Sequence, residues 1–347
     1  MGAFQNHSSW TVTYAVGTSI SGNSTSGFEA ALTAARGADI VIYLGGIDNS
    51  LESETLDRKS LSWPGNQVDL ISQLAALSKP VVVVQFGGGQ VDDTPLLQNA
   101  NVKSVVWAGY PSQDGGPALL DVLTGKQSIA GRLPVTQYPA SYADEVSIYD
   151  IDLRPNGTYP GRTYKWYTGK AVRPFGFGMH YTTFNFHWGR TLKPQYNIQA
   201  LVDECRSNGK INDVTPFANV TATVRNTGRV ASDYVGLLFL SSKNAGPAPR
   251  PIKSLVSYSR LHNIGIHGSE TMNLPLTLGS LARADVNGDL TVFPGDYELA
   301  LDVDAKITFK FSLRGKAAVI ETLPAPKSSY NTTVPVHIQP PSRQAYS

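Results

Sequence analysis

The run Val81-Val82-Val83-Val84 constrains this chain more than any other stretch. Four consecutive β-branched residues are poor helix formers and leave no polar side for water. Such a run fits a strand buried on both faces of a parallel sheet, and that sheet needs helices to cover it. The flanking sequence supplies both. Ile40–Leu44 and Val102–Ala108 read as further strands. Phe28–Ala35, Pro64–Leu77 and Gly115–Gly125 read as helices, and Pro95-Leu96-Leu97 as the start of a short one. Within 64–77, Val68, Ile71, Leu74 and Ala75 share one face. Within 115–125, Pro117 lies near the start and Gly125 at the end, the usual asymmetry of a helix. Strands and helices alternate with short connections, which predicts an α/β sandwich, a mostly parallel sheet in flavodoxin-like layers. Trp10–Val16 also alternates and predicts one more strand.

Past residue 126 the period weakens and Pro, Gly, Tyr and Arg dominate, as in extended chain wrapping a domain edge. Residues 191–212 read as a polar linker. From 213 the pattern becomes all-β, with strands expected at 217–226, 233–241, 254–261, 270–276, 297–303 and 307–313. Turn sequences such as Asn226-Thr227-Gly228 and Pro294-Gly295-Asp296 separate them. Short strands at this spacing fit a fibronectin III-like or immunoglobulin-like sandwich. The expected division is therefore 1–190 α/β domain, 191–212 linker, 213–316 sandwich and 317–347 extended tail. A length of 347 residues suits two domains.

Against a background of only 16% charged residues, one loop is crowded. After the strand at 40–44 the chain turns on Gly45-Gly46. It then places Asp48, Glu52, Glu54, Asp57, Arg58 and Lys59 within a dozen residues. Ligands of open α/β sheets bind at the carboxyl ends of the strands, where this loop lies. Read on its own, each carboxylate is a solvated loop charge, and Asp48 and Asn49 cap the turn. Trp63 either stacks on a sugar or packs into the core. Gly87-Gly88-Gly89 follows a strand but matches no phosphate-binding pattern, so it reads as a tight exit. The six His residues lack metal-ligand spacing, and no G-x-S-x-G elbow is present. No cofactor or metal is expected.

A net charge of +2, with no Lys/Arg cluster interleaved with aromatics, argues against nucleic acid. No apolar run reaches spanning length, and no membrane association is expected. The start, MGAFQNHSSW, has no basic segment followed by an apolar one. Sequons at Asn6, Asn23, Asn156, Asn219 and Asn331 point to a secreted glycoprotein. A single cysteine, Cys205, is either a free thiol or half of a bridge whose partner lies elsewhere.

The loop GGIDNSLESETLDRKSLSWPGNQ resembles the acid/base loop of family 3 glycoside hydrolases, most closely the fungal β-xylosidase branch. GYPSQDGGPALLDVLTGKQSIAGRLPVTQYPASY (109–142), GRTYKWYTGKAVRPFGFGMHYTTF (161–184) and the turn FPGDYEL (293–299) agree with it in order. The resemblance implies an enzyme of three parts: an N-terminal (β/α)8 barrel, an α/β sandwich and a fibronectin III-like domain. It implies that this chain holds the last two and starts one strand late, with the barrel and a signal peptide missing. It further implies a retaining exo-β-glycosidase that releases xylose from xylooligosaccharides. The barrel would carry the nucleophilic Asp, and this loop the general acid/base. By spacing to Asp57-Arg58, Glu52 is the better match for that role and Glu54 the alternative. Asp57 and Arg58 are implied as structural support, Asp57 pairing with Arg58 or a neighbour. A β-glucosidase, an arabinofuranosidase or a non-catalytic binding module are the other readings.

Overall fold

The computed structural model describes residues 2–7, 9–157, 159–207, 209 and 211–324. The first unit contains α1 (Gly2–Gln5), α2 (Phe28–Arg36), β1 (Val41–Gly46), α3 (Gln67–Ala76), β2 (Val81–Phe86), α4 (Thr94–Leu97), β3 (Val102–Gly109) and α5 (Gly115–Leu123). Its strands form a parallel sheet in the order β1-β2-β3, with Tyr43 opposite Val83 and Val83 opposite Val105. That face packs on Phe28 and Ala35 of α2 and on Leu70, Ile71, Leu74 and Ala75 of α3. The buried positions of α3 recur at i, i+1, i+4 and i+5, one stripe of a 3.6-residue period.

The other face is less completely covered than a run of four valines predicts. Val84 is fully buried, Val82 is half-buried, and Leu44 remains 40% exposed. In α5 only Gly115 is buried, although the helix is rich in Leu and Val. Residues 10–19, expected in part as a strand, form irregular chain, because no neighbouring strand lies beside them.

The wrap carries two short helices, α6 (Tyr142–Glu145) and α7 (Thr163–Trp166). The second unit then begins earlier than residue 213. β4 (Phe184–Trp188) already pairs with β6 (Pro216–Asn226), which pairs with β9 (Ser269–Thr277). The supposed linker contains β5 (Gln195–Asn197) and α8 (Ile198–Ser207). Ile198, Leu201, Val202 and Cys205 of α8 are buried in the core of the second unit. Three- and four-residue spacing makes these apolar residues one stripe, so a helix that is polar overall still docks. Cys205 is thus a buried core thiol, whose pKa burial raises.

The larger antiparallel sheet runs β5-β13-β12-β7-β8, with β7 (Ser232–Ser242), β8 (Ser254–Ile264), β12 (Gly295–Leu301) and β13 (Ile307–Arg314). β5 joins it in parallel through β13. α9 (Leu278–Leu281) opens on a capping box, Thr277 to Ser280. It leads into a small sheet of β10 (Ala282–Ala284), β11 (Leu290–Val292) and β14 (Ala318–Glu321). β14 lies in the segment expected as an extended tail, so the paired structure runs to Glu321. The core fills from alternating inward residues of facing sheets, such as Met272, Leu274 and Leu276 against Leu238, Leu299 and Leu313.

The two units are joined by buried polar contacts. Arg132 of the wrap donates Nη2 to the Val235 carbonyl (2.7 Å) and to the Asp302 carboxylate (2.8 Å). The Tyr234 hydroxyl donates to the same carboxylate, and the Ser232 hydroxyl to that of Ser128 (2.8 Å). Burial raises the pKa of Asp302, opposed by the Arg132 charge.

Candidate active site

The crowded loop leaves the carboxyl end of β1, as the sequence predicts. Its two ends are fixed by one side chain that sequence reasoning missed. Gln67, fully buried at the start of α3, accepts from the Gly46 N–H (2.8 Å) and donates to the Gly46 carbonyl (2.8 Å) and the Ile20 carbonyl (2.7 Å). It thereby completes the hydrogen bonds of a strand end that has no ladder partner on that side. The signal was the last residue of the Pro64-Gly65-Asn66-Gln67 string.

Between those ends Asp48 accepts from the Ser50 N–H (2.9 Å), closing an Asx turn. Glu52 then turns inward. Its Oε2 accepts from Arg58 Nε at 2.7 Å, and its Oε1 from the backbone N–H of Gly89 at 2.6 Å. Arg58 continues with Nη2 to the Gln90 carbonyl at 2.7 Å. The two side chains are only 23% and 15% exposed. Charge-assisted bonds of this length are about twice as strong as neutral ones. Glu52 and Arg58 thus staple the β1 loop to the β2 loop.

This contact explains the glycine triplet after β2. A Cβ at Gly89 would stand 2.5 Å from Glu52 Oε2 and 2.7 Å from Arg58 Nη2. Only a glycine lets the backbone come that close.

Glu54 has the opposite environment. Ser53 and Leu56 exchange backbone hydrogen bonds of 3.1 and 3.0 Å, which closes a turn with Glu54 and Thr55 at its tip. Thr55 has φ +67, in the left-handed region, so the tip is tight. The Glu54 carboxylate is exposed and makes no hydrogen bond or ion pair among the described residues. Of the two glutamates in the loop, one holds its shape and the other is presented by it.

Two expectations are corrected here. Arg58 pairs with Glu52 and not with Asp57, which is exposed and unpaired among the described residues. From Arg58 the flanking residue points outward, whereas the turn brings Glu52 back across. Trp63 is no sugar platform. It is 7% exposed within the α3 core, and its indole N–H donates to Asp93 Oδ1 at 3.0 Å.

Asp93 is a further residue that spacing did not reveal. It is buried, and its Oδ2 accepts from Gln137 Nε2 at 2.6 Å. Burial pushes its carboxyl up to about 6, with the bonds to Gln137 and Trp63 opposing. Beside it, Asp92 accepts from the Ala140 N–H (2.8 Å) and Gln90 from the Tyr138 N–H (2.6 Å). The wrap is therefore fastened to the site loops by Gln90, Asp92 and Asp93, just after Gly89. Tyr138, Tyr142 and Tyr167 cluster just beyond, packed against Leu61 of the candidate loop.

Among the described residues no group of three or more His, Cys, Asp or Glu side chains could hold a metal ion. No helix among them is long and apolar enough to cross a membrane. Of the sequon asparagines, Asn6, Asn23, Asn156 and Asn219 are exposed, and Asn331 lies outside the described residues.

The sequence model of the glycosyl hydrolase family 3 C-terminal domain matches residues 1–181. A probable exo-1,4-beta-xylosidase of Aspergillus fumigatus is 52% identical over 317 residues, 91% of this chain and 41% of the relative. One of Neosartorya fischeri, also named probable exo-1,4-beta-xylosidase, is 51% identical over the same share of each. A solved GH3 exo-beta-xylosidase, in complex with a xylobiose aziridine activity-based probe, superposes with TM-score 0.88 at 46% identity. It covers 93% of this chain, which covers 42% of it. The chain thus spans about two fifths of the length of the relatives it matches.

Proposed function

The chain belongs to glycosyl hydrolase family 3, and on that premise we propose that it is the C-terminal portion of a retaining exo-1,4-β-xylosidase and supplies its general acid/base. The observation that carries the role is the division of labour between two glutamates. Glu52 has both oxygens engaged by Arg58 and Gly89, while Glu54 stands unbonded at the tip of the turn they brace. A proton donor must reach the glycosidic oxygen and later take a proton from water, so it needs a carboxylate free of fixed partners. Glu54 meets that requirement and Glu52 does not. This reverses the order that spacing alone suggests.

The retaining mechanism needs a second carboxylate about 5–5.5 Å away as nucleophile. We place it on a barrel within the additional length of the relatives, and the isolated chain accordingly turns over no xyloside. The names of the relatives support xylooligosaccharides as the substrate class. We assign the first unit to the α/β sandwich of this family and the second to a fibronectin III-like domain, supported by the parallel sheet and the facing antiparallel sheets. Secretion and glycosylation at the exposed sequons belong to the same proposal.

The test joins this chain to the preceding portion of a longer relative and compares Glu54→Gln with Glu52→Gln. Loss of a general acid lowers kcat by about 10²–10⁴ on xylobiose. The loss is far smaller on an aryl xyloside whose leaving group departs without a proton. Glu52→Gln instead lowers both rates together and lowers thermal stability. Unchanged xylobiose hydrolysis by Glu54→Gln would falsify the assignment.

A further inference from the structure

A cavity lies well away in sequence from the candidate loop, where α7 and β7 meet the segment 245–251. Its volume is about 290 Å³, near the lower bound for small-molecule sites. Leu240, Leu281 and the rings of Phe293 and Tyr297 give it apolar walls, while Lys165, Arg250 and Arg283 supply cations. No carboxylate lines it. None of the three cations forms an ion pair with a carboxylate among the described residues, although ten such pairs occur elsewhere in them.

The absence of compensation has a cost. Burial, with like-charge repulsion from Arg250 and Arg154, holds the Arg283 guanidinium below its ordinary pKa. A fold that gathers cations without an acid to balance them has a standing preference for an anion. Loop-holding accounts for only part of the donor set. Arg283 uses Nη1 and Nη2 on the carbonyls of Pro249 (3.0 Å) and Pro247 (2.7 Å). Arg250 uses Nε and Nη2 on the Gly246 carbonyl (3.0 and 2.6 Å). Arg250 Nη1, Arg283 Nε and the Lys165 ammonium make no hydrogen bond among the described residues.

The remaining chemistry of the lining narrows the anion. Bare phosphate is best met by converging backbone N–H groups, and no side of this cavity is a glycine-rich turn of that kind. The cavity offers instead apolar walls and the hydroxyls of Ser241 and Ser254, neither of which is hydrogen-bonded among the described residues; its ring faces are engaged, Phe293 under the Arg283 guanidinium at 5.2 Å and Tyr297 stacked on Phe311. Apolar walls suit the C–H faces of a pyranose, hydroxyls suit its hydroxyls, and guanidinium suits a carboxylate. We propose that this cavity binds a uronic acid residue, so that the second unit grips acidic side groups or chains of polysaccharides independently of the candidate active site. A glycosidase portion bearing such a site is held near acidic polysaccharide without that sugar being cleaved.

The experiment titrates the 347-residue chain with sodium glucuronate, glucose and inorganic phosphate at one ionic strength, following heat or thermal shift. Glucuronate is expected to bind saturably, with glucose and phosphate at least about tenfold weaker. Arg250→Gln is expected to weaken glucuronate about tenfold, the loss of one charge-assisted bond. Lys165→Gln, at the exposed rim, weakens it by about two- to fivefold and leaves the fold intact, since its ammonium bonds to nothing. The proposal is overturned if glucuronate shows no saturable binding, if glucose or phosphate binds as tightly, or if neither substitution alters its affinity.

Discussion

Asp93→Asn tests the support of the candidate loop through its pH dependence. Asp93 sits 6% exposed between Trp63 and Gln137, and burial lifts its carboxyl from 3.8 to about 6. A group whose folded pKa lies above its unfolded value stabilises the fold fully below the unfolded value. That contribution is lost as pH rises through the folded one. At 1.36 kcal/mol per pH unit, the interval from 3.8 to about 6 corresponds to about 3 kcal/mol. The native protein is therefore expected to lose about 3 kcal/mol from this group between about pH 3.5 and pH 7. The Asn variant has no such loss. Whatever the substitution costs by itself is the same at every pH and leaves the slope untouched. Urea unfolding followed by tryptophan fluorescence, at half-unit pH steps, gives the two curves. The difference in unfolding free energy should shift by about 3 kcal/mol in favour of the variant across the range, or about 6–12 °C in Tm. Parallel curves would show that Asp93 titrates alike in the folded and unfolded chain, and the account of it as a carboxyl raised by burial would fail. His180 acts in the opposite sense. Burial and the charges of Arg132 and Lys306 depress its imidazole to about 4, so its contribution is lost as pH falls from 6.5. It sits in the same window, which is why the comparison must be between native and variant rather than along one curve.

Three further substitutions probe the same architecture. Gly89→Ala puts a methyl 2.5 Å from Glu52 Oε2 and should cost about 1–3 kcal/mol as the staple shifts, read by thermal unfolding; a neutral result would mean that the two loops separate freely. Thr55→Gly relieves φ +67 at the tip and should raise Tm by about 1–3 °C, the relief of about 1–2 kcal/mol being offset in part by greater freedom of the unfolded chain. Arg132→Ala leaves the buried Asp302 carboxylate without its cation and should destabilise by about 3–5 kcal/mol, with earlier proteolytic cleavage between the units.

The sequence was most legible where period and burial coincide. Val81–Val84, Ile71 and Leu74 announce their elements because a solvent-facing alternative would leave them in water. It was least legible where pairing, not pattern, decides. Trp10–Val16 alternates as well as any strand but has no neighbour, whereas Gln195–Asn197 and Leu290–Val292 are too short to show a period and become strands through their partners. The α8 stripe of Ile198, Leu201, Val202 and Cys205 was visible in principle, hidden by the polar residues between. At the site, local density located the loop and named both glutamates. Spacing to Asp57-Arg58 ranks Glu52 first and cannot register the bond to Gly89, 37 residues away, that sets the two glutamates apart.

The ranking has a consequence for how the site is completed. A carboxylate that protonates a sugar oxygen works best when water is excluded around it. Glu54 stands exposed at the tip of a turn flanked by Glu52 and Arg58, which are paired with each other. The enclosing surface on the proposed reading must be substrate together with chain from the additional length of the relatives. A preorganised tip then serves a purpose that a floppy one would not. The loop pays its ordering entropy on folding, through Gln67, Asp48 and the Glu52–Arg58 staple, rather than at each binding event. Weakening the staple should for that reason lower kcat more than it raises KM, since the misplacement is felt most when the proton moves.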